Sequence, residues 1–71
     1  METNKRIPSG YEFKFIDEVN DSLQYVGYAK YGDNDLDNGV WVIYKITKSG
    51  TVTKMLKAYG SWNKRNTLNY M

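Results

Sequence analysis

The sequence predicts a small all-β fold, an antiparallel meander of about five strands arranged as an open barrel or half-sandwich. Three observations carry that prediction. Apolar and polar residues alternate with a period of two through much of the chain. Seven Tyr, two Trp and two Phe crowd into 71 residues, and aromatic and β-branched side chains favour pleated surfaces over helices. Clusters of Gly, Asn, Asp and Ser interrupt the alternation at short intervals, as turns between strands do.

Taken in order, Met1–Gly10 is polar and ends in Pro8-Ser9-Gly10, a loop signal with the only proline of the chain. It reads as a flexible arm ahead of a single β domain spanning residues 11–71. Tyr11 to Val19 alternates, with Tyr11, Phe13 and Phe15 on one side and Glu12 and Lys14 on the other. Asn20-Asp21-Ser22 is a compact turn, because each of these side chains hydrogen-bonds readily to nearby backbone. Leu23 to Tyr31 resumes the alternation, and its Gly27 and Ala29 are small enough to admit a bulky aromatic or another chain, or Gly27 marks a bulge. Residues 32–39 form a loop of Asp and Asn around Leu36.

Val40 to Thr47 is the most apolar stretch. Trp41 and Ile43 point one way, and Val42, Tyr44 and Ile46 point the other. A strand apolar on both sides is to be covered on both sides, and in so short a chain the second cover is expected from a neighbour. Lys48-Ser49-Gly50 is a hairpin turn with Gly placed for positive φ, and Thr51 to Tyr59 returns as the partner strand. Gly60-Ser61 breaks it, Ser61 is placed to cap a short turn through Trp62–Arg65, and residues 67–70 read as a last strand.

Composition narrows the function. A chain of 71 residues buries a modest core, and small domains are commonly reinforced by disulfides, a metal or a partner. Cys and His are both absent, which removes disulfides, thiolate and imidazole metal ligands, and the usual base of a Ser nucleophile. Association with another chain is the reinforcement left open, so a homo-oligomer is expected. Glu12, Asp17, Glu18 and Asp21 cluster near the first turn, but nothing in the sequence supplies an apolar pocket to raise a carboxyl pKa. No enzyme activity and no cofactor are expected. No stretch approaches the roughly 18 apolar residues of a membrane span. Lys5 and Arg6 precede no apolar run, so no signal peptide is expected.

Three candidate sites remain. The first is a protein interface made of Trp41, Val42, Tyr44 and Ile46 with Trp62 and Arg65. The i, i+3 spacing of the last two fits a Trp anchored in the sheet with Arg bonding the chain end or a neighbour, and equally a purely internal packing pair. The second is a single-stranded nucleic-acid surface using Tyr28, Lys30, Lys45, Lys54 and Lys57, with rings stacking on bases and amines meeting phosphates. Net charge is only +2 and the lysines lie scattered among acids, whereas a nucleic-acid footprint gathers them. The third is a weak calcium loop through Asp33, Asp35 and Asp37. It lacks Gly at the sixth place, where Asn38 stands, and Glu at the twelfth, where Tyr44 stands, so no metal is expected.

Three stretches carry a family resemblance: Tyr25-Val26-Gly27-Tyr28-Ala29, then Trp41-Val42-Ile43-Tyr44-Lys45-Ile46, then Ala58-Tyr59-Gly60 leading to Trp62-Asn63-Lys64-Arg65 and Leu68-Asn69-Tyr70. Their order resembles short virion structural proteins of tailed bacteriophages and prophages. The likeness spans Leu23 to Tyr70. This chain departs in its Asp- and Asn-rich loop and in the short link from Gly60 to Trp62. The resemblance implies a many-copy particle component, assembled in the host cytoplasm, as capsid decoration, head fibre or tail part. The other reading is a small phage-encoded nucleic-acid-binding or host-inhibitor protein.

Overall fold

The computed structural model describes residues 7–71, in which four strands follow one another as hairpins: β1 Tyr11–Asn20, β2 Leu23–Lys30, β3 Trp41–Ser49 and β4 Val52–Gly60. They form one open antiparallel sheet in the order β1-β2-β3-β4, followed by a 3₁₀ segment, η1, over Trp62–Thr67. The meander is as expected and the sheet does not close.

Turn chemistry explains the hairpins. The Asn20 side chain accepts the Ser22 N–H at 2.7 Å, the local bond that Asn offers a tight turn. Gly50 takes φ +63°, which only Gly adopts without strain, between the ends of β3 and β4. The expected arm over residues 1–10 lies outside the described residues as far as residue 6. Pro8–Gly10 is a turn tied to the sheet: the Tyr11 N–H reaches the Pro8 carbonyl at 3.3 Å, and the Gly10 carbonyl accepts the Tyr31 N–H at 3.0 Å.

In β1 the alternation breaks. Phe13 pairs with Tyr28 and Phe15 with Gly27, so Lys14 is an extra residue in the ladder. This bulge sends Phe13 and Phe15 to opposite faces, correcting the expectation that they share one. Phe15 lies beside Trp41 at 6.0 Å, whereas Phe13 meets Tyr28 edge-on at 5.9 Å.

The core lies on the Phe15 face. Trp41 and Ile43 are fully enclosed, with Tyr25, Ala29 and Trp62 around them. Two segments cover this face. Leu36 comes from the β2–β3 loop, and Trp62, Leu68 and Tyr70 come from the C-terminal segment. The small Gly27 is explained by Trp62: a Cβ there would stand 2.5 Å from the indole, so the ring rests on bare backbone. The aromatic that Gly27 admits belongs to the same chain.

Two expectations near the C-terminus are corrected. Ser61 makes no side-chain cap, and η1 instead begins with a backbone bond from the Lys64 N–H to the Ser61 carbonyl at 3.1 Å. Residues 67–70 are not a strand, because Thr67 still belongs to η1 and the chain then crosses the core face. Only Met71 meets the edge of β4, where it exchanges both backbone bonds with Lys57 at 3.0 Å.

Candidate interaction surface

The opposite face of the sheet carries three rows of side chains, one from each strand per row. The first row is Phe13, Tyr28, Val42 and Tyr59; the second is Ile16, Val26, Tyr44 and Lys57; the third is Glu18, Gln24, Ile46 and Met55. Only Glu18, Gln24 and Lys57 among them are polar. Tyr44 stands edge-on to Tyr28 with centroids 5.7 Å apart. Tyr11, beside the first row, donates a hydrogen bond to the Val40 carbonyl at 2.9 Å and so reaches across the end of β2.

The consequence for β3 differs from the expectation. Val42 and Tyr44 are already buried within one chain. The unfilled demand for cover lies at the flanks: Phe13 is 52% exposed, Ile16 52%, Met55 44% and Tyr59 58%. Singly exposed apolar residues are ordinary; here they occur in pairs on both outer strands of one face, Phe13 with Ile16 on β1 and Met55 with Tyr59 on β4. Sequence reading missed Phe13, Ile16 and Tyr59 as surface residues. The bulge that places Phe13 has no signature in residue type, whereas alternation from Val42 to Tyr59 could have found the last.

The six residues expected at an interface fall on two sides. Val42, Tyr44 and Ile46 are on the open face; Trp41 and Trp62 are buried on the covered one. Arg65 adopts the internal arrangement. Its guanidinium lies over the Trp62 ring at 4.4 Å, bonds the Trp62 carbonyl at 2.9 Å, and pairs with Asp17 at 2.9 Å. It joins η1 to β1 across the molecule. The acidic cluster near the first turn is likewise divided, with Asp17 held by Arg65 and Glu12 by Lys14 at 2.6 Å. That hydrogen bond holds the Glu12 carboxyl below its ordinary range.

The nucleic-acid candidates are also split. Tyr28, Lys30 and Lys57 share the open face, whereas Lys45 and Lys54 are in register with covered-face residues, and Lys45 sits over the Tyr70 ring at 5.6 Å. The Asp loop uses its carboxylates internally. Asp33 accepts the Asp35 N–H at 3.0 Å and the Asn38 amide at 2.7 Å, Asp35 accepts the Asp37 N–H at 3.0 Å, and Asp37 accepts the Asn63 amide at 2.8 Å. Among the described residues no cluster of acids is arranged to hold a metal ion. Millimolar calcium is therefore expected to leave the amide resonances of Asp33, Asp35 and Asp37 unmoved in a two-dimensional NMR titration; saturable shifts confined to them would establish a site.

Burial raises two phenols above their ordinary value of 10. Tyr70, beside Tyr25, is pushed well above it, and Tyr44 is raised further by the neighbouring Tyr28 and Tyr59. The unfolded chain gives up these protons more readily, so their contribution to stability is complete below pH 10 and is lost as pH climbs beyond it. Melting temperature is expected to hold from about pH 7 to 9 and to fall above about pH 10. The Tyr70→Phe variant, starting lower because the Tyr70 bond to the Arg65 carbonyl at 2.6 Å is gone, is expected to fall less steeply.

Comparison with protein-family models, curated proteins and solved structures finds no match to this chain.

Proposed function

We propose that the protein is a non-enzymatic structural component of a tailed-phage particle, held in place by protein–protein contact through the open face of its sheet. The single observation that carries this reading is the apolar, half-exposed flank of that face at Phe13, Ile16, Met55 and Tyr59. Contact surfaces are enriched in Tyr, Phe and Met and depleted of charge at their centre, and this face has that composition. The particle setting rests on the resemblance carried by residues 25–29, 41–46, 58–60, 62–65 and 68–70.

The nucleic-acid reading is weaker, because the basic residues do not gather. Lys30 and Lys57 are on the open face and Lys45 and Lys54 on the other, so no continuous track for phosphates results.

Gradient-purified particles of the phage encoding this chain test the proposal. The protein is expected in them at many copies by quantitative mass spectrometry. A Tyr59→Asp variant, altered at a half-exposed ring, is expected to fold and to be missing from the particles. Absence of the unaltered protein from purified particles would overturn the reading.

A further inference from the structure

Asn38 is the one asparagine of the chain that precedes a glycine. Its side-chain amide carbon is an electrophile, and the Gly39 backbone nitrogen is a nucleophile within reach of a ring closure that needs no enzyme. Glycine removes the obstacle that a following side chain puts in the way, because no Cβ limits the backbone turn that brings the two atoms together. Here the approach is open. Gly39 is exposed, a Cβ on it would meet nothing within 4 Å, and its N–H donates to no acceptor among the described residues.

The Asn38 amide is also a fastener. It donates to one Asp33 oxygen at 2.7 Å, while the other accepts the Asp35 N–H at 3.0 Å, so one carboxylate draws Asp35 and Asn38 together. The β2–β3 loop that these residues shape closes one end of the covered face. The Trp41 indole N–H donates to the Asp35 carbonyl at 3.0 Å, and Leu36 packs on the core. The Leu36 carbonyl accepts the Asn63 N–H at 3.1 Å, and the Asp37 carboxylate accepts the Asn63 amide at 2.8 Å. Loop and η1 are joined at Asn63.

We infer that Asn38–Gly39 is a self-modifying site whose deamidation unlatches the β2–β3 loop from η1. The Gly39 nitrogen loses its proton to solvent and attacks Asn38 Cγ. The new C–N bond forms, the Cγ–Nδ2 bond breaks, and the side-chain nitrogen leaves as ammonia with a proton taken from water. Water then opens the cyclic imide at either carbonyl. Opening at Cγ gives aspartate; opening at the backbone carbonyl gives isoaspartate, with the main chain rerouted through Cβ. Nothing is oxidised or reduced, and the sum is one water taken up for one ammonia released. Either product undoes the fastener. Aspartate sets a second carboxylate oxygen against Asp33 where a donor stood, and isoaspartate lengthens the backbone of a loop fitted to contacts on both sides. The inference is independent of what the open face binds.

Ageing the full chain in mildly alkaline buffer tests the chemistry, with peptide mass spectrometry that separates aspartate from isoaspartate. Both products are expected at residue 38, formed faster than at any other asparagine. Gly39→Ala is expected to suppress them and keep the fold, since its Cβ has open space and Gly39 has no positive φ. Hydrogen exchange tests the consequence. In aged protein the Asn63 N–H and the Trp41 indole N–H are expected to exchange faster, with the ladder between β3 and β4 as protected as before. Asn38→Asp is expected to melt about 4–8 °C below the parent, the shift for one lost hydrogen bond in a domain this size. Asp33→Asn combined with Asn38→Asp turns the same bond around and is expected to recover most of that loss.

Conversion at Asn38 no faster than at the other asparagines would overturn the inference. So would a fully converted protein whose Asn63 and Trp41 protons exchange as slowly as before, or a double exchange no more stable than Asn38→Asp alone.

Discussion

Replacing Trp62 with alanine is expected to strip the protein of much of its stability. The indole is buried against Trp41 at 5.8 Å and Phe15 at 5.6 Å, and it seats the Arg65 guanidinium. Truncating a buried Trp costs about 3–5 kcal/mol. A domain of this size has about 4–10 kcal/mol in all, so the loss removes much of the margin. The Arg65–Asp17 pair, which ties η1 to β1, loses its support in the same step. Far-UV circular dichroism and a urea titration measure the result, with Trp62→Phe expected to keep the fold at reduced stability. A Trp62→Ala protein that melts within a few degrees of the parent would show that the C-terminal segment is a passive cover.

The second large effect is expected at Gly27, where the added atom is small and the obstacle is not. A Cβ would lie 2.5 Å from one indole carbon of Trp62, 2.6 Å from another, and 3.2 Å from Trp41. The Trp62 ring cannot step aside cheaply, since Trp41 and Phe15 hold it from the sides. Overfilling a packed site costs typically about 1–3 kcal/mol; Gly27→Ala is expected near the top of that range and Gly27→Val beyond it. The two sites are coupled. In a Trp62→Phe background, where the smaller ring leaves room, Gly27→Ala is expected to cost about 1 kcal/mol or more less than in the parent. Equal costs in the two backgrounds would mean that the penalty comes from the strand backbone.

Much of this fold was readable in the residues because it is built from local rules. Period-two alternation placed β2, β3 and β4, and the Asn20–Ser22 and Lys48–Gly50 turns fell where Asn side-chain bonding and positive φ put them. The two-sided character of β3 was equally plain from Trp41 to Ile46. What escaped depends on contacts distant in sequence. Gly27 announced a close approach, but its visitor comes from residue 62. The last segment resembled a strand in composition, yet its residues do more for stability lying across the core face, with Leu68 against Gly60 and Tyr70 against Tyr25. The contact surface was read from β3 alone, whereas its exposed part belongs to the outer strands, which only the sheet order brings alongside.

The extra residue at Lys14 determines more than the local shape of β1. Were the ladder regular over the same residues, Lys14 would stand opposite Tyr28 and Phe13 opposite Ala29, so the corner of the sheet now furnished with a ring would present an amine. Loss of Lys14 itself would straighten the strand and leave both rings on their present sides, so the bulge, and not the length of β1, is what a chain of this kind would alter to change whom it adheres to while its lid of tryptophan and arginine stays as it is. Related sequences that keep every residue position of this strand but not the bulge are expected to share a scaffold and to part company in how they assemble.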